Sequence, residues 1–252
     1  MNYPVINILH KNGKTVVYAS EDIYSNDSKI VIKKILNDKD GIYYGSMIEI
    51  SILKTLKHKN IIELKKYICD SVWTYMILEY CDMNLTKFCK VYYPLTQHDI
   101  LDVFKQVVDG VQYLHTNNIL HRDLKPDNIL IHDGIVKIAD FGLAKRMTLN
   151  PMSYNVVTLH YRAPEILSKQ PYGKPIDIWS LGCILYEICT LFVPFRNNNM
   201  DNEQTQLATI LHHTSTYTFL NNIHNITIRN LIKPMLLIKP EERITISDLQ
   251  KI

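Results

Sequence analysis

Residues 120–142 read LHRDLKPDNILIHDGIVKIADFG, and this stretch decides what the surrounding chain can fold into. Its two short apolar runs, residues 129–131 and 135–138, flank the dipeptide Asp133-Gly134. An Asp-Gly pair between two β-type runs is a strong signal for a β-hairpin with a tight two-residue turn. The sequence therefore predicts a hairpin whose two ends lie side by side at one edge of a small sheet.

Several polar side chains are expected to meet at that edge. Asn128 enters the predicted hairpin and Asp140 leaves it. Asp123 and Lys125 precede Asn128 on an irregular loop that Pro126 stiffens. Carboxylate and amide oxygens are preferred ligands of Mg²⁺, and a lysine beside them can neutralise phosphate charge. The set predicts a Mg–nucleotide site with a catalytic base next to it.

The same region resembles the protein kinases in three ordered motifs. His-Arg-Asp-Leu-Lys at residues 121–125, together with Asn128, matches the kinase catalytic loop. Asp-Phe-Gly follows at residues 140–142, and Ala-Pro-Glu at residues 163–165 closes the activation segment. The alternative that these polar residues are only turn formers does not account for three motifs in this order.

The resemblance covers residues 4–252 and implies an α+β protein kinase fold with two lobes. A small N-terminal lobe, about residues 1–80, would contain five antiparallel strands and one helix. A larger helical lobe would take residues 81–252, so that 1–252 form one kinase domain. The usual insert of the group is missing between Arg196 and Asn225, which predicts a compact second lobe.

Composition is that of an ordinary globular protein. The 252 residues are 46% apolar and 21% charged, and the net charge of +3 is too small to indicate binding to nucleic acid or to a membrane surface. Five cysteines form no Cys-x-x-Cys pair, which indicates reduced thiols in the cytoplasm or the nucleus. No basic apolar leader opens the chain, so we expect no secretory signal.

The long apolar run from Ile176 to Phe195 is the one segment that invites a membrane interpretation. It contains Asp177, Glu187 and Pro194, and a charge in the middle of a span costs about 2.5–3.5 kcal/mol on insertion scales. We therefore expect a buried helix of a globular lobe. In kinases the Asp of this helix caps the backbone of the catalytic loop, and the resemblance gives that structural role to Asp177.

Residues 4–20 predict a hairpin with a type I′ turn at Asn12-Gly13. In kinases this hairpin covers the phosphates and carries three glycines, which let backbone N–H groups approach the nucleotide closely. Aligned through Val17, an expected apolar contact of ATP, those glycine positions hold His10, Asn12 and Thr15. We expect the hairpin to persist with a poorer grip on phosphate.

The following strand and helix would supply the ion pair that positions ATP. Residues 29–33 form a β-rich run, and the resemblance makes Lys33 the phosphate-binding lysine and Val31 the apolar roof over adenine. Residues 44–56 have helical periodicity, and Glu49 falls on the apolar side of that helix. A carboxylate there needs a partner, and the resemblance names Lys33; the alternative is a solvated helix glutamate.

Two further strands, residues 61–67 and 74–78, complete the predicted sheet, and the hinge follows. By position, the resemblance assigns the remaining ATP contacts. They are backbone groups of Glu79 and Cys81 for adenine, Asn84 near the ribose, and Leu130 as an apolar contact. Next, Thr96 to Asn117 predicts a long helix that starts with the capping sequence Thr96-x-x-Asp99 and places His98 and His115 at the surface.

The activation segment resembles the group that holds the cyclin-dependent and mitogen-activated kinases, because Tyr-Arg precedes Ala-Pro-Glu. Residues 155–159 look most like the cyclin-dependent members. Ser153 takes the place of their activating threonine, and Arg122 would meet its phosphate. The resemblance also pairs Glu165 with Arg243 as a structural ion pair.

The expected function is transfer of the γ-phosphoryl group of ATP to Ser or Thr hydroxyls of proteins, with proline-directed choice as one form of it. Asp123 would act on the substrate hydroxyl, Lys125 would stabilise the transferring group, and Asn128 and Asp140 would hold Mg²⁺. A non-enzymatic scaffold and a small-molecule kinase are the alternatives. Residues 43–49 retain only the glutamate of the cyclin-binding helix, so we expect either a divergent activator there or packing of Tyr43, Tyr44 and Met47 on the small lobe.

Overall fold

The computed structural model describes residues 3–22, 29–39, 41–147, 158–196 and 202–251, and they form the two lobes that the sequence predicts. The strands are β1 (Asn7–Asn12), β2 (Thr15–Glu21), β3 (Lys29–Leu36), β4 (Leu64–Cys69), β5 (Trp73–Glu79), β6 (Met83–Asn84), β7 (Ile119–Leu120), β8 (Ile129–His132), β9 (Ile135–Ile138) and β10 (Lys145–Arg146). The α-helices are α1 (Tyr44–Leu53), α2 (Leu85–Tyr92), α3 (Gln97–Thr116), α4 (Pro164–Leu167), α5 (Pro175–Thr190), α6 (Glu203–Thr216), α7 (Ile226–Met235) and α8 (Ile246–Leu249).

The small lobe is an antiparallel sheet of five strands in the order β1-β2-β3-β5-β4, with α1 packed beside it. Alternation along β3 explains the layering, because successive side chains of a strand point to opposite faces. Ile30 and Ile32 belong to a small cluster with Tyr18 and Ile77, whereas Ile35 joins the main core. Strands β1 and β4 form the two edges of the sheet.

The first hairpin turns one residue later than predicted. Asn12 pairs with Thr15, so the loop consists of Gly13 and Lys14. Gly13 has φ +46° and Lys14 has no positive φ, which is the pattern of a type II′ turn with glycine at its first central position. The prediction of a type I′ turn at Asn12-Gly13 is therefore wrong, although the hairpin itself is confirmed.

The second hairpin, β8–β9, forms as predicted. Asp133 and Gly134 have φ values of +47° and +75°, and His132 pairs with Ile135 across them. Positive φ at both central residues defines a type I′ turn. Ile129 and Ile138 are buried at its open end. This hairpin places the residue before β8 and the residues after β9 beside each other.

The two lobes are joined through the backbone near the end of β9. The Ile62 N–H donates to the Ile138 carbonyl at 2.9 Å, and the Ile138 N–H donates to the Asn60 carbonyl at 2.9 Å. Because residues 60–62 pair with β9 in this way, β4 begins only at Leu64 and not at Ile61 as predicted. Gly110 lets α3 approach this junction, since a Cβ there would lie 2.7 Å from the Ile138 side chain.

Helices α3 and α5 form the centre of the large lobe. Thr96 and Asp99 make the predicted capping box at the start of α3. Helix α5 buries most of its residues, including Trp179. No helix in the described ranges is long and apolar enough to cross a membrane. One predicted helix is shorter than expected: the helical periodicity ran over residues 44–56, but α1 ends at Leu53.

Candidate active site

Lys33 on β3 contacts two carboxylates that come from different parts of the chain. Its Nζ lies 2.7 Å from Glu49 Oε2 on α1 and 2.9 Å from Asp140 Oδ1. The Phe141 backbone N–H also bonds to the Glu49 carboxylate. Glu49 is therefore a buried partner of Lys33, and the alternative of a solvated helix glutamate is wrong.

Burial and neighbouring charges together set the pKa values in this cluster. Burial lowers the pKa of Lys33, but the charges of Glu49 and Asp140 outweigh burial and raise it above the ordinary value. Burial raises the pKa of Glu49 more than Lys33 lowers it. For Asp140 the balance is reversed, because Lys33 and nearby cations lower its pKa despite burial. Lys33 therefore stays a cation, and Asp140 stays ionised as a metal ligand must be.

Asp123 accepts hydrogen bonds from three neighbours in the catalytic loop and the activation segment. The Thr158 hydroxyl and backbone N–H donate to its Oδ1 at 2.8 and 3.0 Å. Asn128 Nδ2 donates to its Oδ2 at 3.0 Å, and Lys125 Nζ lies 3.0 Å from the same oxygen. Lys125 also donates to the Thr158 hydroxyl at 2.8 Å. The carboxylate is thus fixed in place with an alcohol already against it.

The donor set of Asn128 and Asp140 suits a magnesium ion. Asn128 uses its amide nitrogen on the Asp123 carbonyl and carboxylate, which leaves its amide oxygen as the available ligand atom. The Asp140 side chain is 47% exposed, so that an ion can reach it from the cleft. Hard oxygen donors of this kind are the ligands that Mg²⁺ prefers.

Asp177 holds the backbone of the catalytic loop, as the resemblance implies. It accepts from the backbone N–H groups of His121 and Arg122, both at 3.1 Å. Burial alone would raise the pKa of Asp177. Hydrogen bonds and the charge of nearby imidazoles lower it by more than burial raises it, so the pKa lies below the ordinary aspartate value. Arg122 has φ +65°, a strained value for a side chain with a Cβ, and these bonds keep it there.

The prediction that His115 lies at the surface is wrong. His115 is 2% exposed, and its Nε2 lies 2.8 Å from Asp177 Oδ2. The last turn of α3 thus supports the catalytic loop through Asp177. His98, at the other end of α3, is exposed as predicted.

Arg122 has protein partners for its guanidinium. Its Nε donates to the Leu143 carbonyl at 2.7 Å, and a terminal nitrogen donates to the Tyr172 hydroxyl at 3.0 Å. Ser153, the predicted phosphorylation site, lies outside the described residues. Tyr172 was not singled out in the sequence, and no local pattern connects it to residue 122.

The predicted ion pair between Glu165 and Arg243 is present and bidentate. The two guanidinium nitrogens lie 2.6 and 2.8 Å from the two carboxylate oxygens. The Arg243 guanidinium also lies over the Trp179 ring at 5.1 Å. This buried pair joins the end of the activation segment to the connection between α7 and α8, and Arg243 in turn contacts α5 through Trp179.

The predicted adenine side of the cleft is built from β2, β3, β8 and the hinge. Its apolar contacts, Val17, Val31 and Leu130, are all partly buried. The Glu79 N–H donates to the Glu63 carbonyl at 3.1 Å, so this N–H is not available to adenine.

The hinge continues into α2. Cys81 is buried, and within the described chain its backbone N–H has no backbone partner. Asn84 caps α2 by accepting from the Lys87 N–H, and its amide nitrogen donates to Asp127 at 3.1 Å. The predicted contact of Asn84 with ribose stays a prediction.

Comparison with known proteins agrees with this geometry. A model of the protein kinase domain family matches residues 13–252. A protein of Encephalitozoon cuniculi named as a probable cell division protein kinase is 42% identical over 194 residues, which cover 75% of this chain and 72% of that protein.

Two cyclin-dependent kinases are also similar. Cyclin-dependent kinase 9 of Homo sapiens is 38% identical over 202 residues, 72% of this chain and 53% of its own length. Cyclin-dependent kinase 10 of Bos taurus is 39% identical over 184 residues, 69% of this chain and 50% of its own length. The aligned part thus spans about half of each of these two relatives. The chain belongs to the protein kinase family and is a Ser/Thr protein kinase of the cyclin-dependent-kinase-like group.

Proposed function

We propose that this chain uses ATP and Mg²⁺ to phosphorylate Ser and Thr hydroxyls of protein substrates. Proline-directed sites, in which proline follows the Ser or Thr, are the substrates to test first. The observation that carries the proposal is the convergence of Lys33, Glu49 and Asp140 in one ion-pair cluster beside Asp123 and Lys125. A scaffold without activity would have no need of this complete charged set.

Each residue has a role that follows from its contacts. Asp123 accepts a hydrogen bond from the Thr158 hydroxyl, so it can orient a substrate hydroxyl and accept its proton in the same way. Lys125 neutralises charge on the transferring phosphoryl group, and Lys33, held by Glu49, binds the α- and β-phosphates. Asn128 and Asp140 would hold Mg²⁺, which supplies charge neutralisation at the phosphates when bound.

The test is the activity of Asp123→Asn with ATP-Mg and a mixture of protein substrates. We expect turnover to fall about 10²–10⁴-fold, because the amide cannot accept the proton. Asp133→Asn is the matched control, since it makes the same chemical change in an exposed turn. Thermal melts would check that both variants fold. Equal activity of Asp123→Asn and wild type would refute the proposal, and phosphorylation of small molecules alone would favour a different kinase class.

We also propose an activator other than a standard cyclin at the start of α1. Tyr43, Tyr44 and Met47 are 44%, 73% and 52% exposed, which supports a partner surface over packing on the small lobe. The Lys33–Glu49 pair is already formed in the chain alone. Kinase assays of the monomer with a panel of cyclins should therefore show little gain. A large, saturable activation by a standard cyclin would overturn this part of the proposal.

The thiols support placement in a reducing compartment, the cytoplasm or the nucleus. All five cysteines are free. Burial raises the pKa of Cys81, Cys89 and Cys189 to about 12, which leaves these thiols unreactive at neutral pH. Localisation of a tagged chain in its own cells would check this.

A further inference from the structure

A groove of about 850 Å³ lies along the edge of the small lobe, and none of its lining residues belongs to the proposed active site. We call it the basic groove and define it by residues 53–59, 61–67 and Lys137. Its walls therefore come from the end of α1, the connection to β4, strand β4 itself and strand β9.

Positive charge is concentrated in the basic groove. Its lysines are Lys54, Lys57, Lys59, Lys65, Lys66 and Lys137, and they are opposed by one acidic lining residue, Glu63. The groove thus carries a formal charge of +5 in a chain of net charge +3, so the remaining residues sum to −2. Arg146 adds a cation at the rim, where it donates to the Thr55 hydroxyl at 2.7 Å.

Part of this charge has no carboxylate partner within the described ranges. Lys137 lies 3.0 Å from Glu79, and Lys59 lies 3.6 Å from Asp109. Lys57 and Lys65 are exposed, and across the described ranges neither has a carboxylate within 4.0 Å. Keeping like charges together without acidic partners costs free energy that a negatively charged ligand would recover.

The base of the groove is apolar and its wall is a sheet edge. Leu53, Ile61 and Ile62 are buried lining residues. Five consecutive residues, 63–67, line the groove, although alternate residues of a strand point to opposite faces. The groove therefore runs along the outer edge of β4, where one row of backbone groups faces away from β5.

We propose that the basic groove binds an acidic peptide segment of a partner protein, extended along the edge of β4. Strand addition would supply backbone hydrogen bonds, the lysines would pair with Glu or Asp side chains, and apolar side chains would contact the base. This inference is independent of the proposed phosphoryl transfer, because the groove shares no residue with that site.

Two simpler explanations of the lysines account for fewer features of the basic groove. Lysines protect edge strands from unwanted pairing, but only Lys65 and Lys66 lie on β4, and the other four come from other elements. A nucleic acid would pair its phosphates with the lysines but would gain nothing from the apolar floor of the groove. Its bases would need aromatic side chains to stack on, and Tyr67 is the one tyrosine among the lining residues.

Fluorescence polarisation with the full chain tests the proposal. The probe is a fluorescein-labelled ten-residue peptide of glutamate and leucine, and its control replaces every glutamate with glutamine. We expect the acidic peptide to bind, with an affinity that falls as salt rises, and the glutamine peptide to bind at least tenfold more weakly.

Charge reversal locates the binding site. Lys57→Glu with Lys65→Glu should weaken binding of the acidic peptide at least tenfold. Lys87→Glu with Lys90→Glu is the matched control, because it reverses two exposed charges on α2, and it should bind nearly as wild type does. Kinase activity of the groove variant, measured in parallel, should be retained.

Three results would overturn the proposal. They are absence of binding by the acidic peptide, equal loss in the two double variants, and equal binding of a ten-residue oligothymidylate, which would indicate a non-specific or nucleic-acid surface. A peptide with alternate N-methylated residues should also bind more weakly, and unchanged binding would refute strand addition.

Discussion

Two hairpins with equally short loops frame the active site, and they are built in opposite ways. Hairpin β8–β9 buries Ile129, Val136 and Ile138, and its end is fixed by the Ala139 N–H, which donates to the Asn128 carbonyl at 2.9 Å. Every residue of β1, in the other hairpin, is exposed. Hairpin β8–β9 sets the position of side-chain oxygens, which tolerate little displacement. Hairpin β1–β2 offers backbone N–H groups, which most sequences can supply.

The sharpest test of this contrast makes the same Asp-to-Asn change beside each hairpin, at Asp140 after β9 and at Asp38, which follows β3 and pairs with Lys14 of the β1–β2 turn. Asp140→Asn should lower kcat at least about 100-fold, because it removes an ionised oxygen from the proposed metal site and a partner of Lys33. Asp38→Asn breaks the exposed ion pair with Lys14 in the β1–β2 turn and should cost less than about 1 kcal/mol of stability, with kcat unchanged. Steady-state kinetics and urea unfolding measure both effects. Similar kcat losses in the two variants would contradict the contrast.

A second prediction concerns the support of the catalytic loop. Asp177→Asn should lower the free energy of unfolding by about 1–3 kcal/mol at pH 7, because an amide cannot accept from His115 and two backbone N–H groups as the carboxylate does.

The pH dependence of that loss has a definite sign. The pKa of Asp177 is lowered in the folded chain, so its stabilisation is complete above the ordinary aspartate value of about 3.9 and is lost as the pH falls through the lower folded value. The difference between wild type and Asp177→Asn should therefore narrow in strongly acidic solution. A difference that stays constant from pH 7 to pH 3 would show that packing, and not ionisation, is responsible.

A smaller effect is expected from restoring glycines to the first hairpin. Asn12→Gly with Thr15→Gly should lower the KM for ATP a few-fold, because glycine lets backbone N–H groups approach phosphate more closely. The kcat should change little. Lys11→Gly is the control, since it adds a glycine to the same strand at a position that kinases do not use. An unchanged KM in the double variant would show that the hairpin binds phosphate in another way.

The smallest effect is expected at Ser153. The resemblance to the cyclin-dependent kinases implies three basic side chains around the activating phosphate. The first is Arg122, which here already bonds to Leu143 and Tyr172. The second position holds Lys145, which lacks the planar fork of arginine, and the third holds the uncharged Ile48. Ser153→Ala should therefore keep its activity within a few-fold of wild type, in assays of protein purified with and without phosphatase treatment. Complete loss of activity would make Ser153 an essential switch.

The sequence predicted the buried hairpin better than the exposed one, and the reason is physical. Asp133-Gly134 sits between two apolar runs, so the turn preference and the burial pattern agree on one register. Around Asn12-Gly13 no buried face fixes the register, and the turn moved by one residue. Local motifs also predicted the Lys33–Glu49 cluster, because the residue types and their order carry the information.

Contacts between distant residues were the part that the sequence could not supply. His115 was placed at the surface because it ends a helix, yet its partner Asp177 lies 62 residues away. Val107, Val111 and Leu114 recur at helical spacing in this stretch, and His115 directly follows Leu114, which was the available signal of burial. Thr158, which donates to Asp123 across 35 residues, was not recognised as a site residue for the same reason.

The two backbone hydrogen bonds at Ile138 also have a mechanical consequence. An opening of the cleft that preserves them would pivot the small lobe near residues 60–62 and the end of β9. Asp140 follows Ile138 by two residues, so it lies near that pivot, whereas β1 lies at the opposite edge of the sheet from β4, the strand that follows residues 60–62. Opening would thus sweep the hairpin through a wide arc to release a nucleotide, while the proposed metal ligand hardly moves.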